Sequence, residues 1–279
     1  MPAFVWVLLI LLVLIVGFYL YTVYPNRKRK STAYFASFHY AHRGLHDERI
    51  PENSLAAFRA AAEAGYAIEL DIQLSRDGVP MVFHDATLTR ICGIDRPLSE
   101  LDAAELERLS LLGRPAHKIP RLSSVLAEVN GRVPILVEIK GVRDIDAVCA
   151  KTAALLDNYP GAYCIESFSP FVVHWFRKNR PLVVRGQLSE HYFAKRGGRK
   201  KDLFLMQLLC TNFLTKPDFI SFNCEHRRYF SFRLATALFG AASFAWTVDS
   251  EEKAEDCCGY FDCMIFERIR PPRRTIDEA

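Results

Sequence analysis

Apolar positions fall into one long block followed by many short ones. From Ala3 to Tyr24 the chain is predominantly Val, Leu, Ile and Phe, broken by Gly17 and a few Tyr and Thr, and no side chain from Met1 to Asn26 is charged. At ~1.5 Å per helical residue such a block covers the ~30 Å hydrocarbon layer of a bilayer. Trp6 near one end and Tyr19, Tyr21 and Tyr24 near the other match the two interfacial aromatic belts, and Pro25 with the basic run Arg27 to Lys30 ends the block. A signal peptide wants a basic n-region and a shorter apolar core, and this block has neither. Residues 1–26 therefore read as a retained, single-pass transmembrane anchor and 27–36 as a basic linker. The lysines and arginines on the C-terminal side place the remaining chain in the cytoplasm.

Beyond the linker, short β-rich runs alternate with helical patterns, which predicts βα units and a parallel sheet. The runs are Ser37 to Ala41, Ala67 to Ile72, Val79 to Phe83, Val133 to Ile139, Ala162 to Phe168, Leu182 to Gln187, Phe219 to Phe222, Ser243 to Val248 and Asp262 to Phe266. Helical patterns cover Leu55 to Ala64 with Ser54 as N-cap, Ser99 to Leu109, Leu122 to Val129, Ile145 to Asn158 and Phe171 to Lys178. Only Ser75-Arg76-Asp77-Gly78 separates the second run from the third, too little for a parallel crossover, so these two form an antiparallel hairpin. A two-residue Asp77-Gly78 turn would pair Arg76 with Val79 and hence Asp71 with His84, bringing Glu69, Asp71 and His84 onto one face. The runs left over suffice to close a (β/α)8 TIM barrel, whose sites form at the C-terminal strand ends. His42, Asp71 and Lys140 lie at such ends.

Composition narrows the class. Half of the 279 residues are apolar, ample for one large α/β domain, and the net charge of +4 gives no sign of a nucleic-acid partner. Basic residues are nonetheless clustered, in Arg27 to Lys30 and again from Lys195 to Lys201. The apolar stretch Leu203 to Leu214 follows the second cluster and reads either as a barrel helix or as a membrane-surface element. The eight cysteines fall mostly inside apolar runs without CxxC spacing, which points to free buried thiols rather than disulfides or zinc.

Chemistry concentrates between His42 and Asp85. A Glu69-x-Asp71 pair on one strand face gathers negative charge that a cation between the side chains would neutralise, and Glu138 is a candidate third oxygen ligand. Such an all-oxygen set suits one divalent ion, Mg²⁺ or Ca²⁺, better than zinc. A lone Glu-x-Asp also describes a solvated loop, but two histidines beside it turn the reading toward a site. His46 reads as a loop histidine.

The ordered motifs His42-Arg-Gly, Pro51-Glu-Asn-Ser54, Glu69-Leu-Asp71, Asp77-Gly78, His84-Asp85 and Glu138-Ile-Lys140 resemble those of the glycerophosphodiester phosphodiesterase family. The resemblance runs from about Tyr40 to Glu267 and includes Trp246-Thr-Val248 on a late strand. It implies a TIM barrel over 37–279 with a small insertion after the hairpin, about 86–132. It also implies Glu69, Asp71 and Glu138 as metal ligands, His42 and His84 as the acid/base pair, and Arg43 and Lys140 near the phosphate. Glu52 and Asn53 would hold the loop beneath the site. Trp246 reads as glycerol-pocket wall or as barrel core, tipped to the pocket by its place at a strand end, and Asp85 as orienting either His84 or the hairpin. The last strand departs from the family, because Phe261 to Glu267 lacks its small glycine and terminal aspartate.

The implied activity is metal-dependent hydrolysis of a small-molecule or lipid phosphodiester to an alcohol and sn-glycerol 3-phosphate. Two alternatives stand beside it. One is a phospholipase D-like enzyme that acts on lysophospholipids and leaves a cyclic phosphate. The other is a catalytically silent phospholipid-binding barrel.

Overall fold

The computed structural model describes residues 2–26, 30–141, 144–192 and 201–274, so the basic residues at 27–29 and 195–200 lie outside it. Nine strands form one sheet: β1 (Tyr40–Ala41), β2 (Ala67–Leu74), β3 (Pro80–Val82), β6 (Ile135–Ile139), β7 (Tyr163–Ser167), β8 (Arg185–Ser189), β9 (Phe219–Asn223), β10 (Ala242–Val248) and β11 (Cys263–Phe266). Neighbours run in sequence order, and β1 pairs in parallel with both β2 and β11, closing an eight-stranded parallel barrel. The ninth strand, β3, lies antiparallel on β2. A separate hairpin, β4 (Ser110–Leu111) and β5 (Arg114–Lys118), belongs to the segment between β3 and the next barrel helix.

Strand alternation explains both shells of the core. In β2, Ile68, Leu70 and Ile72 face outward into a cluster with Ile135, Val137 and Ile139 of β6, under the helices. The opposite parity faces inward, where Tyr40, Ala67, Leu136, Cys164, Phe219, Phe244 and Cys263 plug the lower half of the barrel. Phe219 stacks on Phe244 at 4.1 Å, and its ring fills space left by Gly186, where a Cβ would stand 2.1 Å from a ring carbon. Each fully buried phenylalanine contributes roughly 1.5–3 kcal/mol relative to exposure. Two or four residues further along β2, β6 and β7 the same inward parity carries Glu69, Asp71, Glu138 and Glu166 instead, so the floor is apolar and the upper end acidic.

The helices follow the expected patterns, with exceptions. α1 (Ala3–Val23) is the long apolar helix. α3 (Leu55–Glu63) starts at Ser54, whose side chain accepts from Ala57 N–H, a cap worth about 1 kcal/mol. α4 (Leu122–Val129) packs beside α3, tied by Arg59 to Glu128 at 2.8–2.9 Å. It is a barrel crossover, so the appended part of the expected insertion ends near residue 121. α5 (Ile145–Leu156), α6 (Pro170–Asn179), α7 (Lys201–Gln207), α8 (Asn212–Thr215), α9 (Phe230–Arg233) and α10 (Glu251–Cys257) complete the main set.

The linker expectation is corrected: Lys30–Ala36 forms a helix, α2, and Phe35 is buried against the barrel floor, where its carbonyl accepts from Tyr40 Oη at 2.8 Å. The helix expected over Ser99 to Leu109 is two short turns, Leu98–Glu100 and Ala103–Leu106, because Asp102 adopts an extended cap conformation and opens a capping box with Glu105.

α1 is long and apolar enough to cross a membrane, and only its last two residues, Thr22 and Val23, are buried. Its last turn is clamped to the barrel. Asn212 Nδ2 donates to Val23 O at 2.8 Å, Lys216 Nζ to Tyr24 O at 2.8 Å, and Asn26 N–H to Pro217 O at 2.8 Å. Val23 is fully buried among Ile220, Phe222 and Phe232.

Candidate functional site

The acidic group is assembled by sheet register. Asp71 of β2 is level with Glu138 of β6, which is level with Glu166 of β7. Glu69, Asp71 and Glu138 are all buried, and one carboxylate oxygen from each lies within 4.8 Å of the others. Lys140 Nζ sits 2.7 Å from Asp71 Oδ1 and 2.7 Å from Glu138 Oε1. Arg43 Nε lies 3.4 Å from Asp71 Oδ2, and Arg43 N–H donates to Glu69 Oε2 at 2.9 Å. The three carboxylates thus outnumber the two cations that touch them. Burial pushes Glu138 up to about 7, against the pull of Lys140. Glu69 is raised well above the usual carboxylate range by burial and by the charges of Asp71 and Glu138. A cluster of oxygen donors held this close and short of positive charge fits a hard divalent cation.

The turn after β1 presents the next groups. Arg43 and Gly44 both have positive φ, +57° and +82°, and a Cβ on Gly44 would lie 2.7 Å from the Ala57 carbonyl carbon, so only glycine allows the turn to sit on α3. Asn53, also at positive φ, donates its backbone N–H to Arg43 O at 2.9 Å and its side chain to Asp71 Oδ2 at 2.8 Å. Glu52 accepts from Arg43 Nη1 at 2.7 Å. His42 Nδ1 lies 2.9 Å from Glu267 Oε2, and His46 Nε2 lies 3.7 Å from the same oxygen. Burial holds His42 below the ordinary imidazole value, so the neutral ring donates Nδ1–H to Glu267 and keeps the Nε2 lone pair, a tautomer assigned from this bond.

His84 reaches the site by a different route from the one its spacing predicts. The pairing observed is Leu74 with Pro80 and Ile72 with Val82, one residue out of the expected register, and Phe83 N–H donates to Asp71 O at 3.0 Å. The loop has three residues, Arg76 to Gly78, closed by Ser75 N–H to Val79 O at 3.0 Å with Gly78 at φ +75°. Asp71 therefore opposes Phe83 and not His84. The strand ends at Val82, and the Gln73 amide gathers the carbonyls of Phe83, His84 and Asp85 at 2.8–3.1 Å, which turns His84 back over the acidic group. Asp85 Oδ1 holds His84 Nδ1 at 2.6 Å. Arg90, from the appended segment, grips Asp85 Oδ2 at 2.7 Å and Glu52 at 2.7–2.8 Å, linking the two arms of the site.

These groups share one cavity of about 90 Å³ whose lining includes His42, Arg43, Glu69, His84, Glu138 and Trp246. Its apolar wall is Trp246, Phe168 at 5.3 Å in an edge-on contact, and Leu188. Every sequence-predicted site residue falls in or directly behind this cavity. Sequence reasoning missed Glu166, Glu267 and Arg90. The first two were legible as acids at the C-terminal ends of strand runs, the rule that selected Asp71 and Lys140; Arg90 carried no such signal.

The fold and cavity define a TIM barrel with an acidic, histidine-flanked site at its C-terminal strand ends. The profile of the glycerophosphoryl diester phosphodiesterase family matches residues 42–269, and the chain belongs to that family. It is 40% identical over 226 residues to a glycerophosphodiester phosphodiesterase of Caldanaerobacter subterraneus subsp. tengcongensis, covering 77% of this chain and 87% of that one. Glycerophosphodiester phosphodiesterase 1 of Bos taurus is 31% identical over 179 residues, 59% of this chain and 52% of its own length. The chain spans about half the length of such mammalian relatives. A phosphodiesterase from Oleispira antarctica, solved with the product sn-glycerol-3-phosphate, superposes with a TM-score of 0.69 at 21% identity, over 84% of this chain and 94% of that one.

Proposed function

We propose that the chain hydrolyses glycerophosphodiesters to an alcohol and sn-glycerol 3-phosphate with the help of one divalent cation, Mg²⁺ or Ca²⁺. The observation that carries this reading is the cavity itself, in which the buried Glu69 and Glu138, grouped with Asp71, share the lining with His42 and His84. The three carboxylates would hold the cation, which supplies charge neutralisation for the phosphate. Arg43 and Lys140 add fixed positive charge to the same oxygens. His42, with Glu267 fixing its Nδ1–H, presents Nε2 as the base; His84, oriented by Asp85, delivers the proton to the leaving alcohol. Trp246 and Phe168 wall the glycerol side. Residues 1–26 anchor the barrel, 37–279, on the cytoplasmic side of a membrane.

The test is hydrolysis of a panel of glycerophosphodiesters and lysolipids by the purified full chain, with and without chelator, followed by phosphorus NMR. Metal-dependent release of glycerol 3-phosphate that vanishes in folded His42→Ala and Glu69→Ala variants supports the reading. Full activity in either variant would place the chemistry elsewhere, and a persistent cyclic phosphate would favour the phospholipase D-like alternative.

A further inference from the structure

The direction in which α1 leaves the barrel fixes which face meets the bilayer. Asn26 contacts Pro217 and Asp218, immediately before β9 begins at Phe219, at the N-terminal end of the strands. Tyr24 packs edge-on against Phe239 at 5.0 Å, just ahead of β10. Five residues earlier, Tyr19 stacks on Phe230 at 6.1 Å, and Phe230 opens the helix that descends from the C-terminal end of β9. From Tyr24 back to Tyr19, then, α1 runs from the bottom of the barrel toward its top. Residues 3–18 project past the C-terminal strand ends, the end that carries the cavity.

Length strengthens the inference. The sixteen residues of α1 before Tyr19 span about 24 Å at ~1.5 Å each, short of the ~30 Å hydrocarbon layer. To cross, the helix must use the turn already docked on the barrel, which draws the adjoining barrel rim into the headgroup region. That rim is apolar. Phe171 after β7, Phe204 and Leu205 after β8, and Phe230 after β9 are exposed by 63%, 46%, 49% and 64%. All four lie on connections that leave the C-terminal ends of adjacent strands, the quarter of the barrel beside α1. The cavity's apolar wall is carried on the same side of the barrel, by Phe168 just after β7, Leu188 on β8 and Trp246 on β10.

Resting on the reading of α1 as a membrane span, we propose that the barrel docks on the bilayer through this rim, so that the mouth of the site faces the lipid and takes amphiphilic phosphodiesters carried by the membrane. The partner is the lipid interface: aromatic and leucine side chains enter it singly, and the rim continues a helix already apolar along its whole length.

Full-length protein in phosphatidylcholine vesicles tests this. With exposed Cys258 and half-buried Cys92 and Cys210 replaced by serine, an environment-sensitive fluorophore is placed on an introduced, accessible cysteine at Leu205, Phe230, Leu12 within α1, or Leu182. Leu182 is 88% exposed in the loop that enters β8 at the opposite end of the barrel. Spin-labelled lipid should quench Leu12→Cys strongly, Leu205→Cys and Phe230→Cys at least twofold more than Leu182→Cys, and Leu182→Cys scarcely at all. Quenching at Leu12 with 205 and 230 no different from 182 overturns the docking geometry and leaves the span intact; no quenching at Leu12 overturns the span and the proposal together. A Leu205→Ser/Phe230→Ser variant should lose at least tenfold in kcat/KM on vesicle-borne lysophospholipid and keep its rate on a water-soluble glycerophosphodiester. An equal loss on both, or on neither, refutes delivery from the bilayer, and inactivity of the wild type on every diester refutes the proposed function while the quenching still decides the geometry.

Discussion

Replacing Asp85 by asparagine removes one charge and almost no volume. Asp85 accepts from His84 Nδ1 at 2.6 Å and from Arg90 Nε at 2.7 Å, so the bond to His84 is charge-assisted. Hydrogen bonds to charged groups contribute about 1.5–3 kcal/mol. Because His84 is about one-third exposed, about 1–2 kcal/mol is the appropriate share, a fall in kcat/KM of about five- to thirtyfold. A second signature follows from electrostatics. Burial holds His84 below the ordinary imidazole value, Lys140 and Arg43 push the same way, and Asp71 and Asp85 oppose them. Removing the Asp85 charge lowers the His84 pKa further. A protonated His84 acting as acid is lost as pH rises through its pKa, so the limb of the kcat/KM profile that falls with rising pH should move to lower pH. Steady-state kinetics from pH 5 to 9, with circular dichroism to verify folding, reads both effects. An Asp85→Asn enzyme within twofold of wild type and with an unmoved profile would refute the role given to His84.

Arg90→Ala should lower kcat/KM in the same direction through Asp85, and the double variant with Asp85→Asn should fall short of the sum, since both act on one hydrogen-bonded chain; a double-mutant cycle measures this. Gly44→Ala forces a non-glycine residue to φ +82° and a methyl onto the Ala57 backbone. Left-handed backbone costs about 1–2 kcal/mol and overpacking about 1–3 kcal/mol, together about 2–5 kcal/mol. Differential scanning calorimetry should show Tm lower by about 4–20 °C, at about 2–4 °C per kcal/mol for a domain of this size. A divalent cation at about a hundred times its Kd should stabilise the wild type by about 2.7 kcal/mol. Thermal shift with chelator and with added Mg²⁺ or Ca²⁺ should show that gain, and Glu69→Gln should abolish it.

The barrel was legible because each strand buries one face under helices and the other in the floor, giving continuous apolar runs whose number and order survive errors at their ends. Those ends were less readable. The run from Leu182 actually pairs from Arg185, and only Tyr40 and Ala41 of the first run join the sheet. The hairpin shows where local rules give out. Asp77-Gly78 is a favoured two-residue turn, yet Gly78 at positive φ closes a three-residue loop here, and the side chain of Gln73 decides where His84 ends up. His84 was expected beside the acids by register and arrives there by curling back. Glu267, just past the end of the last strand, reaches both His42 and His46. Arg90 was invisible because an arginine in a short helical turn beyond the hairpin has no spacing to betray its partners.

Lys140 has a consequence for how the protein is made. Its ammonium already lies between Asp71 and Glu138, and Arg43 lies on the other side of Asp71, so the acidic cluster meets positive charge from the chain itself as β2 and β6 come together. The barrel can close during synthesis without waiting for an ion to be supplied. Cation loading becomes a later, reversible event in a finished fold, and an incoming ion has to displace a tethered competitor. On the proposed metal-dependent reading, supply of metal in the cell would govern how many molecules are active, not how many fold.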